Sequence, residues 1–186
     1  ILLSPLLAGE MHQDALTLRD AQWYANQGVT LILGEKVETL YRDRQTVVTD
    51  TGRTLPYDHL VIATGSRPAM PNVSGIELAG VHGFRDLQDT DALTAIAQQG
   101  GESVVIGGGL LGLEAAEGLR KRGNDIRVSV LQRSERLMNR QLDTTASHLL
   151  ENELSQRGLK VITGAQLARL EGDAQGRVSK LHLDDG

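Results

Sequence analysis

Cysteine is absent from all 186 residues, which excludes disulfides, thiolate metal sites and a redox-active cysteine pair within them. Histidine offers no metal site either: His12, His59, His82, His148 and His182 are scattered without ligand spacing, so no metal is assigned. Base is in deficit. The 24 acids outnumber the 19 bases for a net charge of −5, mixed along the chain without a basic block, which argues against a nucleic-acid partner. No apolar run approaches the roughly 20 residues that span a bilayer, and the first ten residues lack the basic start of a signal peptide. A cytoplasmic protein with no membrane partner is the expectation. An initiator Met is missing at Ile1, and Asp184-Asp185-Gly186 reads as a hairpin turn awaiting its next strand, so both ends look cut. What is present is 40% hydrophobic residues, ample for a core in one large domain or two small ones.

Along the chain, a polar stretch over residues 14–28 carries Trp23 and Tyr24 and ends on Gly28, as a short helix or strand-helix turn would. Residues 30–33, 37–41 and 46–49 are short and rich in β-branched side chains, and predict a meander of strands separated by turns at Gly34-Glu35, Asp43-Arg44 and, after the last, Thr51-Gly52. The apolar run Leu60-Val61-Ile62-Ala63, closed by Thr64-Gly65-Ser66-Arg67-Pro68, has the form of a strand buried on both faces that stops at a ligand-facing loop. Pro68 and Pro71 bracket a linker, which divides the chain into 1–68 and 69–186. Beyond it the spacing predicts helix over 89–99, strand over 104–106, and helix from Leu113 to Gly123. Strand over 128–131, helix over 144–157 capped by Asp143, strand over 159–163 and a period of two over 177–183 follow. The order βαβαβ with parallel connections makes the fold α/β.

In Gly107-x-Gly109-x-x-Gly112 the first glycine permits a tight turn out of the strand, the second removes a side chain that would block a pyrophosphate, and the third lets helix and strand pack closely. An anion then sits on the free N–H groups of the helix N-terminus. Alone the spacing is weak, but here strand, helix and second strand surround it within about 30 residues, the context a dinucleotide site requires. At the end of the second strand, an acid usually binds the adenine ribose and Arg usually marks a 2′-phosphate. Gln132 and Arg133 stand there instead. The amide can bond the ribose and the guanidinium can receive a phosphate, or Arg133 is one more solvated cation, so NADH against NADPH stays open. Glu114, two residues past the third glycine, is expected in the first turn of the helix, where the dipole favours a carboxylate whether or not it also serves the nicotinamide end.

Residues 57–68 and 104–116 together resemble the two-dinucleotide-fold pyridine nucleotide oxidoreductases, over nearly the whole chain. The resemblance implies a Rossmann-like NAD(P)H-binding domain, residues 69–186 and truncated at its C-terminal end, preceded by a truncated FAD-binding domain, residues 1–68. It implies FAD and NAD(P)H as cofactors and hydride passing from one to the other. Val37, Thr64, Gly65 and Arg85 (in Phe84-Arg85-Asp86) would line the FAD, and Gly107, Gly109, Gly112 and Glu114 would face NAD(P)H; no side chain is assigned as a catalytic acid, base or nucleophile. The first strand, glycine loop and helix of the FAD domain, which would hold its pyrophosphate, are missing before Ile1. Within the family, residues 3–10, 107–116 and 137–143 are similar to the large subunit of assimilatory NAD(P)H nitrite reductase. Relatives with a redox cysteine or a lysine where Pro5 stands, among them NADH oxidases and ferredoxin or rubredoxin reductases, fit less well. Siroheme and an iron–sulfur cluster would then belong to the parent polypeptide alone, and the partners would be its remainder or an electron-acceptor protein. The alternatives are a ferredoxin or rubredoxin reductase and a non-enzymatic nucleotide-binding scaffold.

Overall fold

The computed structural model describes residues 2–184, so Ile1 and the Asp185-Gly186 part of the expected terminal turn lie outside the described residues. The chain forms two compact units, one of residues 17–66 and one that joins residues 2–16 to 67–184. One break between the units lies between Ser66 and Arg67, and the first residues group with the larger unit and not with the meander. Helix α1 (Leu3–Leu7) sends Leu7 into the core of the larger unit, where it is fully buried with Ala97, Ala116 and Leu119.

In the smaller unit, α2 (Ala21–Asn26) is capped by Asp20, which accepts from the Trp23 N–H. Strands β1 (Val37–Tyr41), β2 (Thr46–Thr49) and β3 (Thr54–Pro56) form an antiparallel sheet in sequence order. Glu35 ties its open end, accepting from Thr49, Thr51 and both nitrogens of an Arg53 fork. Two expected strands are not formed: residues 30–33 and 60–63 have no ladder, and Val61 and Ile62 are 85% and 70% exposed. The reason is physical. An apolar run becomes a buried strand only beside a strand that takes its hydrogen bonds, and among the described residues none stands next to it.

The larger unit holds the βαβαβ core. Helix α3 (Leu87–Gln99), capped by Asp86, leads into β4 (Gly101–Ile106), α4 (Leu110–Arg122), β5 (Ile126–Leu131), α5 (Thr144–Gln156) and β6 (Lys160–Ile162). The three strands form a parallel sheet in the order β4-β5-β6. Val128 and Val130 of the central strand bury against Ala116, Leu119, Leu154 and Leu159 of the flanking helices and loops. Asp143 caps α5 by accepting from the Ala146 N–H at 2.8 Å, as its position in the sequence indicates. The hairpin β7 (Leu167–Gly172) and β8 (Val178–Leu183) builds a second core from Leu167 and Leu170, covered by Val73, Ile76 and Leu78.

Candidate dinucleotide site

Strand β4 delivers the chain to Gly107 at φ +119°, a conformation that side chains rarely adopt. The Gly107 N–H donates to the Leu131 carbonyl at 2.8 Å, closing the loop against the end of β5. Gly109 is the N-cap of α4 and supplies no side chain, and a Cβ built there meets nothing within 4 Å. At Gly112 a Cβ would collide with the Gly107 carbonyl oxygen, so loop and helix are in contact there. A Cβ at Gly108 would collide with Leu137, and both Gly108 backbone groups are engaged: its N–H donates to Gln132 Oε1 at 2.8 Å and its carbonyl accepts from the Met138 N–H at 2.9 Å. The result is a braced loop leading to a helix whose first residues, Leu110 and Leu111, are 58% and 53% exposed. Unpaired N–H groups at such an end attract an anion.

The loop lies between two hollows. Gly107 lines one of about 420 Å³, with Ile106, Gln132, Arg133, Asn72 and Gln166. Gln132 is bound up in the loop: besides Gly108, its Nε2 meets the Ser134 hydroxyl. Arg133 is exposed, without an ion pair among the described residues. Leu110 lines the other hollow, of about 590 Å³, with Ser4, Pro5, Leu113, Glu114 and Met138. Glu114 requires a correction. Since α4 begins at Leu110, Glu114 is its fifth residue and the first turn contains no acid, so the dipole account of this carboxylate does not hold. Its Oε2 accepts instead from the Ser4 hydroxyl at 2.6 Å, across 110 residues of sequence. One turn on, the Arg120 guanidinium holds the Glu117 carboxyl below its ordinary range, against partial burial and with help from Lys121 and Arg157.

The four residues expected around FAD fall into two groups. Val37 opens β1 opposite Thr49, and Thr64 and Gly65 (φ +72°) lie in the irregular segment that ends the smaller unit. Arg85 precedes α3 in the larger unit, its N–H donating to Asp89 Oδ2 at 2.7 Å. Among the described residues no cluster of His, Asp or Glu could hold a metal ion, and no helix is long and apolar enough to cross a membrane. Sequence reasoning did not single out Ser4, nor Leu137 and Met138 as supports of the glycine loop. Their only signal was the specificity of the segments that contain them.

The sequence pattern of the pyridine nucleotide-disulphide oxidoreductases matches residues 1–186. The chain belongs to this family. Its similar relatives include an assimilatory nitrate reductase electron transfer subunit of Bacillus subtilis, 44% identical over the whole chain and 24% of the relative. An NAD(P)H nitrite reductase of the same organism is 43% identical over the whole chain and 23% of the relative. The chain thus spans about a quarter of the length of these curated relatives. Among solved structures, a ferredoxin reductase from Rhodopseudomonas palustris superposes with a TM-score of 0.89 at 26% identity, covering 99% of this chain and 45% of the other. The family is one of NAD(P)H oxidoreductases that use FAD, and the parallel sheet seen here is its α/β fold.

Proposed function

We propose that the chain binds NAD(P)H along Gly107, Gly109 and Gly112, with the adenosine half toward Gln132 and Arg133 and the nicotinamide half toward Glu114. The observation that carries this reading is the glycine loop itself: a space at Gly109 that a Cβ would occupy, beside a tight contact at Gly112 that a Cβ would destroy. Residues 69–186 are then the NAD(P)H-binding domain and residues 1–68 the rear of an FAD-binding domain, in which Val37, Thr64 and Gly65 would contact the flavin. Held by these residues, the two cofactors would supply hydride-transfer chemistry, with nicotinamide as donor and flavin as acceptor. The chain's own work is placement: the loop holds the pyrophosphate, and the two hollows orient the halves on either side of it. Identity to the Bacillus nitrite reductase supports the reductase part of a nitrite reductase large subunit; on this reading siroheme and iron–sulfur chemistry would belong to the rest of the parent polypeptide, and the protein would work in the cytoplasm. Likeness to the R. palustris ferredoxin reductase supports a second reading, in which a separate small protein takes the electrons. Pro5 weighs against it.

Because Gln132 is already bonded within the loop, Arg133 carries the choice between dinucleotides. Calorimetric titration of the chain with NADH and with NADPH at low salt, where a phosphate contact is least screened, is expected to show tighter NADPH binding that Arg133→Ala abolishes. Equal affinities in wild type and variant would make Arg133 a solvated cation. Absence of binding by the folded chain would refute the site.

A further inference from the structure

Helix α1 lies along α4 in a fixed register. Ser4 meets Glu114, Leu7 fits over Gly118, where a Cβ would come within 2.9 Å of the Leu7 side chain, and Glu10 pairs with Lys121 at 2.6 Å. Contacts at residues 4, 7 and 10 thus answer contacts at 114, 118 and 121, so the two segments run in the same direction and Ser4 arrives at the end nearest the glycine loop. The buried Leu7 sets this register independently of the Ser4 bond. The hydroxyl therefore reaches Glu114 already placed.

That bond uses one carboxylate oxygen. The other, Glu114 Oε1, has no partner among the described residues, and Glu114 borders a hollow whose walls also include Pro5, Leu110, Leu113 and Met138. A carboxylate can only accept hydrogen bonds. The hollow's other charged groups are already paired, Glu117 with Arg120 and Glu10 with Lys121, so the apolar wall beside Glu114 with its one open acceptor suits a flat ring bearing an N–H donor, which the carboxamide of nicotinamide provides. Glu114 stands roughly 7.5 Å along the helix from Gly109, at 1.5 Å per residue.

We propose that Ser4 is a positioning residue for the nicotinamide end of the bound dinucleotide: by holding Glu114 Oε2, it presents Oε1 to the carboxamide N–H. The inference rests on the dinucleotide reading of the glycine loop and adds to it a residue from outside the βαβ unit. Without the hydroxyl, the carboxylate keeps its charge and loses its aim, and that rotational freedom must be given up on binding.

The test compares NADH with its 3-acetylpyridine analogue, in which a methyl ketone replaces the carboxamide and no N–H is offered. Calorimetric affinities are measured for the chain and for Ser4→Ala, Ser4→Thr and Ser4→Val; the last two have nearly the same shape, so they isolate the hydroxyl if Ser4→Ala folds poorly. The expected result is NADH binding weakened about five- to tenfold in Ser4→Ala and Ser4→Val, as for one hydrogen bond, restored in Ser4→Thr, with the analogue's affinity the same in all four. Equal loss for both ligands, or no loss for either while the wild type binds NADH, overturns the role of Ser4 and leaves the dinucleotide site standing. A wild type that binds neither ligand overturns the site and this inference together.

Discussion

At the scale of single residues, the glycine motif divides its work unevenly. Gly107 needs its positive φ, Gly109 needs empty space, and Gly112 needs contact with a backbone carbonyl that cannot move aside like a side chain. Gly112→Ala is therefore expected to lower stability by about 1–3 kcal/mol, as overpacking does, and to shift the loop. Urea denaturation checks it, and a midpoint equal to wild type would mean that helix and loop do not touch. The three glycines were legible because their roles are local to one strand, one turn and one helix. Ser4 was not, because its partner lies 110 residues away and nothing in residues 3–10 announces an acceptor. Gln132 was legible in position and not in use: its place after β5 follows from the strand, whereas its bond to Gly108 depends on how the loop folds back.

Elements follow the same rule of locality. β4, α4, β5 and α5 carry periodic apolar residues and clear stops, and the structure moves their expected ends by only a few residues. The strand β7, Leu-Ala-Arg-Leu-Glu-Gly, has no β-branched residue and buries only Leu167 and Leu170, so its pairing with β8 could not be read from its composition. Helix α1 spans five residues around a proline, too few for a period to show. The β7–β8 hairpin makes its own prediction. Glu171 on β7 accepts from Lys180 and His182 on β8 and from Arg169, and these bonds, that of Lys180 foremost, bring its carboxyl down from 4.5 to about 2. A carboxyl whose folded value lies below its unfolded one stabilises the folded hairpin fully above about pH 4.5, and that contribution is lost as pH falls toward 2. A carbon-13 NMR titration of Glu171 is expected to show a midpoint near 2 that rises in Lys180→Ala. A midpoint near 4.5 in the wild type would remove the pairing.

For the whole molecule, the informative contrast is between β5 and the run from Leu60 to Ala63. Both are apolar, and local composition does not separate them; β5 has a neighbour on each side, and the other run has none among the described residues. Hydrogen exchange should therefore be slowest at Val128 and Val130 and fast at Val61 and Ile62. Protection at Val61 that grew with protein concentration would instead show that this edge pairs between molecules. The braced glycine loop has a different consequence. With Gly107 tied to Leu131 and both polar groups of Gly108 tied to Gln132 and Met138, the cradle has little conformational freedom left to surrender. A ligand that fits it meets a surface already in its final shape, so the entropic penalty of capture falls on the ligand's own torsions.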